Sequence, residues 1–537
     1  MSAYLGKVLV ASTLAVTTAV SLAAPVAIEA KAKVKLNKTS YEMKVGDTFK
    51  LKLKGAKAVA FGSSDTKVAK VSSKGKIRAK KAGTATITVT ADNGKTYTCT
   101  IKVLKKNQTV VNDDNIDLGG MEIIIRDWWS PWDGEADPRN DYEYERNKYI
   151  AEIEEKYNFK IKEMSISDWG SANTDFIEYV VNGGDDNNYV FALHTDASVG
   201  AALASGLMYD LSTLDCLDFS ADKFARNKLH EQYSLGSSIY GFFPGYTEPG
   251  TGVYFNKDVL KKAGIDPDSI YDLQKKGKWT WDKFEELMDK CQRDTDGDGE
   301  DDIYGLTLNE SYMTKMAVLS NGGSYVSKDK NGKFVYNLES KETVEALKWC
   351  VDMYTKFDNH DPEDAIWDYY MEEWRSGKAA FLVDQEYINT RGNFMEQTDF
   401  EVGFVMFPKG PKAKDYVSDW SNNAYVIPAC YDADRAWKIA FAWNKYTEEI
   451  PGYEDYNNYL NLAWEGNFDE RALTETIPMM EDPKYGVVTY HELIPAIQIG
   501  YDVEWQIMPG ADVYDVVIEA RDKWKEAIKE ANTYIKK

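Results

Sequence analysis

Cysteine and histidine are the scarce chemistry of this 537-residue chain. The five cysteines, Cys99, Cys216, Cys291, Cys350 and Cys430, are scattered and odd in number, with no CxxC pair and no zinc spacing. They read as mostly buried thiols rather than a disulfide framework. His194, His230, His360 and His491 show no HExxH or other metal spacing, and neither a GxSxG elbow nor a phosphate loop occurs. No residue is therefore nominated as catalytic. Carboxylate pairs are plentiful, but among 87 acids they single out nothing, so a two-carboxylate glycosidase stays open. Internal repeats and low-complexity tracts are lacking, and past the amino terminus no apolar run is long enough to span a membrane. A formal net charge of −23 argues against general nucleic-acid binding.

What is present divides into parts. The length predicts two to four folding units, and a hydrophobic content of 43% is that of a globular protein. Residues 31–106 hold 20 Lys and Arg against 4 Asp and Glu, a charge of +16; residues 1–30 sum to zero, leaving −39 from Asn107 onward. Such asymmetry predicts different surroundings for the two stretches. At the start, Lys7 precedes an apolar stretch, 8–24, and Ala30 or Ala32 offers a small-residue cleavage point, so residues 1–30 read as a secretory signal, with an uncleaved anchor as the alternative.

Residues 34–103 alternate apolar and polar side chains between close turn signals (Val45-Gly46-Asp47, Ser72-Ser73-Lys74-Gly75, Asp92-Asn93-Gly94), an all-β sandwich pattern. The segment from Ser63 to Val103 resembles bacterial Ig-like group 2 domains, modules that are generally surface spacers or adhesive units. Its positive charge suits an anionic cell wall, and a solvated spacer is the equal alternative. Residues 107–120, polar and Asn/Asp-rich, read as a linker.

From Met121 the pattern changes to strands alternating with helices, which predicts a parallel sheet. A strand at 121–125 runs into Arg126-Asp127-Trp128-Trp129-Ser130-Pro131-Trp132; further strands are expected at 159–166 and 189–193, the last followed by His194-Thr195-Asp196. Ligands of open α/β sheets bind beyond the carboxyl ends of the strands. Trp128, Trp129 and Trp132 sit there, as does Trp169, and are candidates to stack on sugar rings, with packing between lobes as the alternative. Asp127 reads as a hydroxyl acceptor or a turn residue, and His194 as a packing residue.

Residues 252–266, GVYFNKDVLKKAGID, form a strand–cap–helix–Gly unit. They resemble the signature of extracellular solute-binding proteins of carbohydrate ABC importers, the maltose-binding-protein-like family. The WDxF helix start at Trp281, the GKAAF turn at Gly377 and the VxFPKGP segment from Val405 follow in the family's order. The resemblance covers residues 121–537. It implies a two-lobe α/β fold with a hinge, lobe 1 about 121–249 and 419–450, lobe 2 about 250–418 and 451–537, with crossings near Gly250, Asp419 and Pro451. The fold class is thus multidomain: an Ig-like sandwich, then a periplasmic-binding-protein-like pair of lobes. Asp196 stands where this family often places a sugar-binding carboxylate; a helix cap is the alternative. Tyr246 and Glu248 precede the first crossing, Asp384 and Tyr387 follow the GKAAF strand, and Trp420 and Asn422 flank the returning crossing, so all six are candidates for the cleft. Trp367 and Trp374 are explained as well by helical packing. Many Gram-positive members are lipoproteins, yet no cysteine lies near the end of the signal.

Asp294, Asp296 and Asp298 at loop positions 1, 3 and 5, Gly299 at 6 and Asp302 at 9 match a calcium loop, with Glu300 as a further candidate; Gly305 at position 12 excludes a regulatory EF-hand. Structural calcium is expected there, with a solvated acidic turn as the alternative, and no organic cofactor. The expected protein is an exported, monomeric receptor at the extracellular face that captures a carbohydrate, a neutral oligosaccharide by preference, and delivers it to an ABC permease. A secreted glycoside hydrolase and a surface adhesin are the rival readings.

Overall fold

The computed structural model describes residues 34–81, 83–104, 116–358, 360, 365–393, 398–420, 423–453 and 456–535. The expected signal and its cleavage points lie outside these residues, as does Asn422. Among the described residues no helix is long and apolar enough to cross a membrane. The chain forms two compact units, Met1–Val110 and Val111–Lys537.

The first unit is the predicted β-sandwich. One sheet orders the strands Ser40–Lys44, Thr96–Leu104, Gly83–Ala91 and Ala58–Ser63; the other orders Thr48–Lys50, Lys76–Ala79 and Ala69–Val71. Alternation along Gly83–Ala91 turns Ala85, Ile87 and Val89 inward. There they meet Met43, Ile77, Cys99 and Ile101.

The second unit contains two four-stranded sheets. In the first, Phe159–Met164, Met121–Arg126 and Asn188–Leu193 run parallel, and Ala424–Val426 returns antiparallel at the edge, Phe191 opposite Val426. Asn188–Leu193 is buried on both faces, as a parallel strand covered by helices must be. Val190 faces a core with Ile123, Ile439 and Trp443, whereas Phe191 and Leu193 face the opposite core with Phe176 and Val199. The second sheet orders Tyr304–Leu308, Ala379–Gln385, Thr251–Asn256 and Val402–Met406, with Thr251–Asn256 antiparallel to both neighbours.

The chain passes from the first sheet to the second through Pro249 and Gly250 and returns through Asp419 and Trp420. The two passages lie side by side: Pro249 bridges Trp420, Gly250 N–H donates to the Asp419 carbonyl at 3.1 Å, and Thr251 N–H donates to the Asp419 carboxylate at 2.7 Å. A Cβ at Gly250 would collide with Asp419, so this approach requires glycine. The last part of the chain touches both sheets' surroundings. The Val513–Ala531 helix packs by Phe334–Tyr336, whereas His491–Leu493 packs on the Ala197–Ala204 helix, where Gly200 lies against the Leu493 backbone. Residues 451–537 are therefore not confined to the second lobe. The expected linker is also shorter at its far end: Leu118 is buried against the first sheet and its N–H donates to the Tyr157 carbonyl.

Candidate functional site: aromatic rims and buried acids between two sheets

Just past the carboxyl ends of the first sheet lies a group of aromatic rings. Trp128 meets Trp129 edge-on at 4.9 Å and His194 at 5.9 Å, and Trp169 stacks on His194 at 4.4 Å. Trp129, Trp132 and Trp169 expose 48%, 70% and 61% of their surface, against 8% for Trp420. An indole left open at the end of a buried sheet is the arrangement a sugar's apolar CH face fits. Burial holds the His194 imidazole below its ordinary pKa, and its Nε2 lies 3.0 Å from the Trp169 carbonyl oxygen. As expected, it is a packing residue.

Asp127 does not face solvent. Its carboxylate accepts the N–H groups of Trp129 and Ser130 at 3.3 and 3.1 Å and the Ser130 hydroxyl at 2.6 Å, the pattern of an Asx turn. Burial pushes its carboxyl up, opposed by the Ser130 hydrogen bonds. Its role is to hold the tryptophan loop in shape. Asp196 likewise takes the alternative left open for it, capping the Ala197–Ala204 helix by accepting Ser198 N–H at 2.8 Å and Val199 N–H at 2.9 Å. Trp420 is a packing residue: its indole N–H donates to the Met480 carbonyl at 2.7 Å and its ring covers Gly486. Tyr246 is half-buried under the Arg226 guanidinium, 4.6 Å from the ring centre.

Asp384 and Tyr387 lie at and beyond the carboxyl end of Ala379–Gln385, beside the chain passages. Asp384 is buried; one oxygen accepts Gln385 N–H at 2.6 Å and the other has no hydrogen-bond partner within the protein. Burial pushes this carboxyl up to about 7. Two residues on, buried Glu386 also carries an unpartnered oxygen, and burial followed by the neighbouring charges of Glu248 and Glu481 raises it well above the carboxylate range. Glu481, pushed up to about 7 by burial, receives the Asn457 side-chain amide on both oxygens. Among the described residues the prominent cation here is Lys315, half-buried and paired with buried Asp419 at 2.6 Å. Burial works against its charge, but Asp419 and Glu492 outweigh that and hold it protonated.

Three aromatic residues that sequence reasoning missed or ranked low stand on the second sheet's side. Trp505 is exposed, and its indole N–H donates to Ser311 at the start of the helix that follows Tyr304–Leu308. Trp367, also exposed, precedes the Tyr369–Arg375 helix, whose Tyr370 hydroxyl receives the Asn309 amide. Trp464 is exposed at the end of Asn458–Trp464. Trp374, by contrast, is buried as helical packing predicts. Glu386 carried a legible signal, lying two residues beyond Asp384 on the same strand exit. Trp464 and Trp505 carried none, because nothing local separates an exposed tryptophan from a buried one.

The acidic loop brings the carboxylates of Asp294, Asp296 and Asp302 within 4.8 Å of one another, all exposed. Gly297 and Gly299 take positive φ, and Asp294 accepts the N–H groups of Gly297 at 2.6 Å and Gly299 at 2.9 Å, which lowers its pKa. Hydrogen bonds from Thr295 lower that of Asp302. The donor set is all oxygen, which fits a hard cation such as calcium. Asp298 and Glu300 stand outside this group, and Asp298 instead accepts Glu300 N–H at 2.9 Å.

Comparison with known proteins follows the same division. Residues 217–440 match the family described as bacterial extracellular solute-binding protein, and residues 23–101 match the bacterial Ig-like domain (group 2). The arabinooligosaccharide-binding protein of Bacillus subtilis (strain 168) is 26% identical over 242 residues, 45% of this chain and 51% of that protein. The chain thus spans about half the length of this curated relative. Among solved structures, the cyclic alpha-maltosyl-1,6-maltose binding protein of Arthrobacter globiformis is 13% identical, covers 76% of this chain and 100% of its own, and has a TM-score of 0.53. UgpB from Mycobacterium tuberculosis, in complex with glycerophosphocholine, is 15% identical, covers 76% and 99%, and has a TM-score of 0.51. At these identities the likeness speaks for the fold.

Proposed function

With residues 217–440 a bacterial extracellular solute-binding domain and residues 23–101 a bacterial Ig-like domain of group 2, we propose that this protein is an exported receptor that captures an oligosaccharide between its two sheets for an ABC importer. The observation that carries the reading is the set of open indoles, Trp129, Trp132 and Trp169, at the carboxyl end of one sheet, with hydrogen-bonding acids at the exit of the other. Rings cover the apolar sugar faces; Asp384 and Glu386, each with an oxygen no protein group uses, take hydroxyls. Ligand gripped from both sides favours the closed form, and rotation about the paired passages releases it unaltered to the permease. The family matched and the curated relative are binding proteins, which favours capture over hydrolysis. Tyr246, Glu248 and Tyr387 are assigned to the hinge wall, while Asp127 and Asp196 act behind the contact surface.

The test is a calorimetric titration with arabinose- and glucose-based oligosaccharides, followed by a reducing-end assay on the same mixtures. Micromolar binding with no new reducing ends is expected; release of shorter sugars would replace this reading with the hydrolase.

The Asp294–Asp302 loop is assigned a structural calcium, held by Asp294, Asp296 and Asp302, that ties the end of the Trp281–Cys291 helix to the following strand. The basic Ig-like unit is assigned contact with the anionic cell wall.

A further inference from the structure

The Ig-like unit puts like charges directly opposite one another three times. Register sets Lys35 against Lys54, Lys50 against Lys76, and Lys70 against Arg78. All six side chains are exposed, with Leu36, Leu51, Ile77 and Ala69 beside them pointing inward: Lys50, Lys70, Lys76 and Arg78 share the outer face of the three-stranded sheet, and Lys35 and Lys54 stand on a separate two-stranded ladder, Lys35–Leu36 with Leu53–Lys54. Asn37 joins the Lys35–Lys54 pair to the rest by hydrogen bonds to the backbone of Lys50 and Lys52. Like charges directly across a ladder are destabilising. The opposite sheet shows the ordinary solution, with Glu42 set against Lys102 and paired to it at 3.1 Å. Among the described residues none of the six basic groups has an ion-pair partner.

We propose that this face is a binding surface for an extended polyanion, a wall glycopolymer with phosphodiester-linked repeats, whose phosphates lie between the opposed cations and relieve their repulsion. The inference rests on the extracellular placement proposed above and on nothing in the sugar site. Cations on alternate residues recur about every 6.6 Å along a strand, a spacing that a chain bearing one phosphate per monomer can follow. Two features disfavour other polyanions. A membrane-binding basic surface carries apolar side chains to insert, whereas the large exposed apolar residue described in this unit, Val59, stands on the opposite sheet. The face also lacks the aromatic rings on which nucleic-acid bases stack.

The experiment compares the full chain with two triple variants in binding to poly(glycerol phosphate). Lys54→Glu, Lys70→Glu and Lys76→Glu together break all three pairs; Lys57→Glu, Lys67→Glu and Lys95→Glu remove the same charge elsewhere on the unit. The first triple is expected to weaken binding at least about tenfold and the second less than about threefold, with wild-type affinity falling steeply with salt. Hydrogen exchange over Thr48–Lys50, Ala69–Val71 and Lys76–Ala79 is expected to slow in the first triple, since each like-charge pair becomes an opposite pair. Equal loss in both triples, no binding by the wild type, or equally tight binding to phosphatidylglycerol vesicles or duplex DNA would overturn the proposal. Oligosaccharide titration of the same proteins keeps it separate from the importer reading, because either can fail while the other stands.

Discussion

At the scale of single residues, the tryptophans divide by what their indole edges do. Trp129 and Trp169 are open rings, so Trp129→Ala and Trp169→Ala are each expected to cost about 1–2 kcal/mol of ligand affinity, roughly tenfold in Kd, with little change in stability. Trp420→Ala is expected to do the reverse, lowering stability by about 3–5 kcal/mol in a denaturant melt as it empties a packed passage. Sequence could place the first pair at strand ends by their position after apolar runs. It could not see that Trp420 turns onto Met480 and Gly486, sixty and sixty-six positions away, because that contact exists only after the passages pair. Burial also sets a pH dependence. Asp384 and Glu481 keep their protons to about pH 7 in the fold, whereas in the unfolded chain they lose them near about pH 4. The folded state thus binds more protons across that interval, and stability is expected to be highest below it and to fall as pH rises toward 7. Asp384→Asn should flatten part of that slope in melts taken between pH 4 and 7.

At the scale of elements, local chemistry was most readable where a cap or a glycine fixes the backbone. The Asn256 cap donated to by Asp258 and Val259, and Gly264 at positive φ after the helix, stand where the GVYFNKDVLKKAGID pattern put them. Asp196 obeys the same rule, and its competing reading as a ligand was unresolvable from sequence because capping and sugar binding ask for the same side chain. Asp196→Ala is accordingly expected to cost about 1 kcal/mol of stability and to leave affinity within twofold in the titration. The acidic loop is the other legible element. Millimolar calcium is expected to raise the melting temperature, and Asp294→Asn to abolish the rise, since Asp294 both organises the turn and belongs to the carboxylate group. An unchanged melt with calcium would leave a solvated turn.

At the scale of the molecule, the charge split of +16 against −39 was readable by counting, and it coincides with the division into two compact units. Deleting residues 31–106 is therefore expected to leave oligosaccharide affinity unchanged. The order of strands within each sheet was not readable, because long-range pairings such as Phe191 with Val426 join residues with more than two hundred positions between them. Nor was the reach of the last residues, where Leu493 packs on Gly200.

The paired passages at Gly250 and Asp419 have one more consequence. The first sheet is assembled from strands on either side of the second, 121–193 before it and Ala424–Val426 after it, so the first sheet is not a continuous piece that could be cut free. A single protease nick in the passage at Pro249 would leave two fragments, the second supplying the Ala424–Val426 edge strand to the sheet that the first begins. They are expected to stay joined and to co-elute in gel filtration until denaturant separates them.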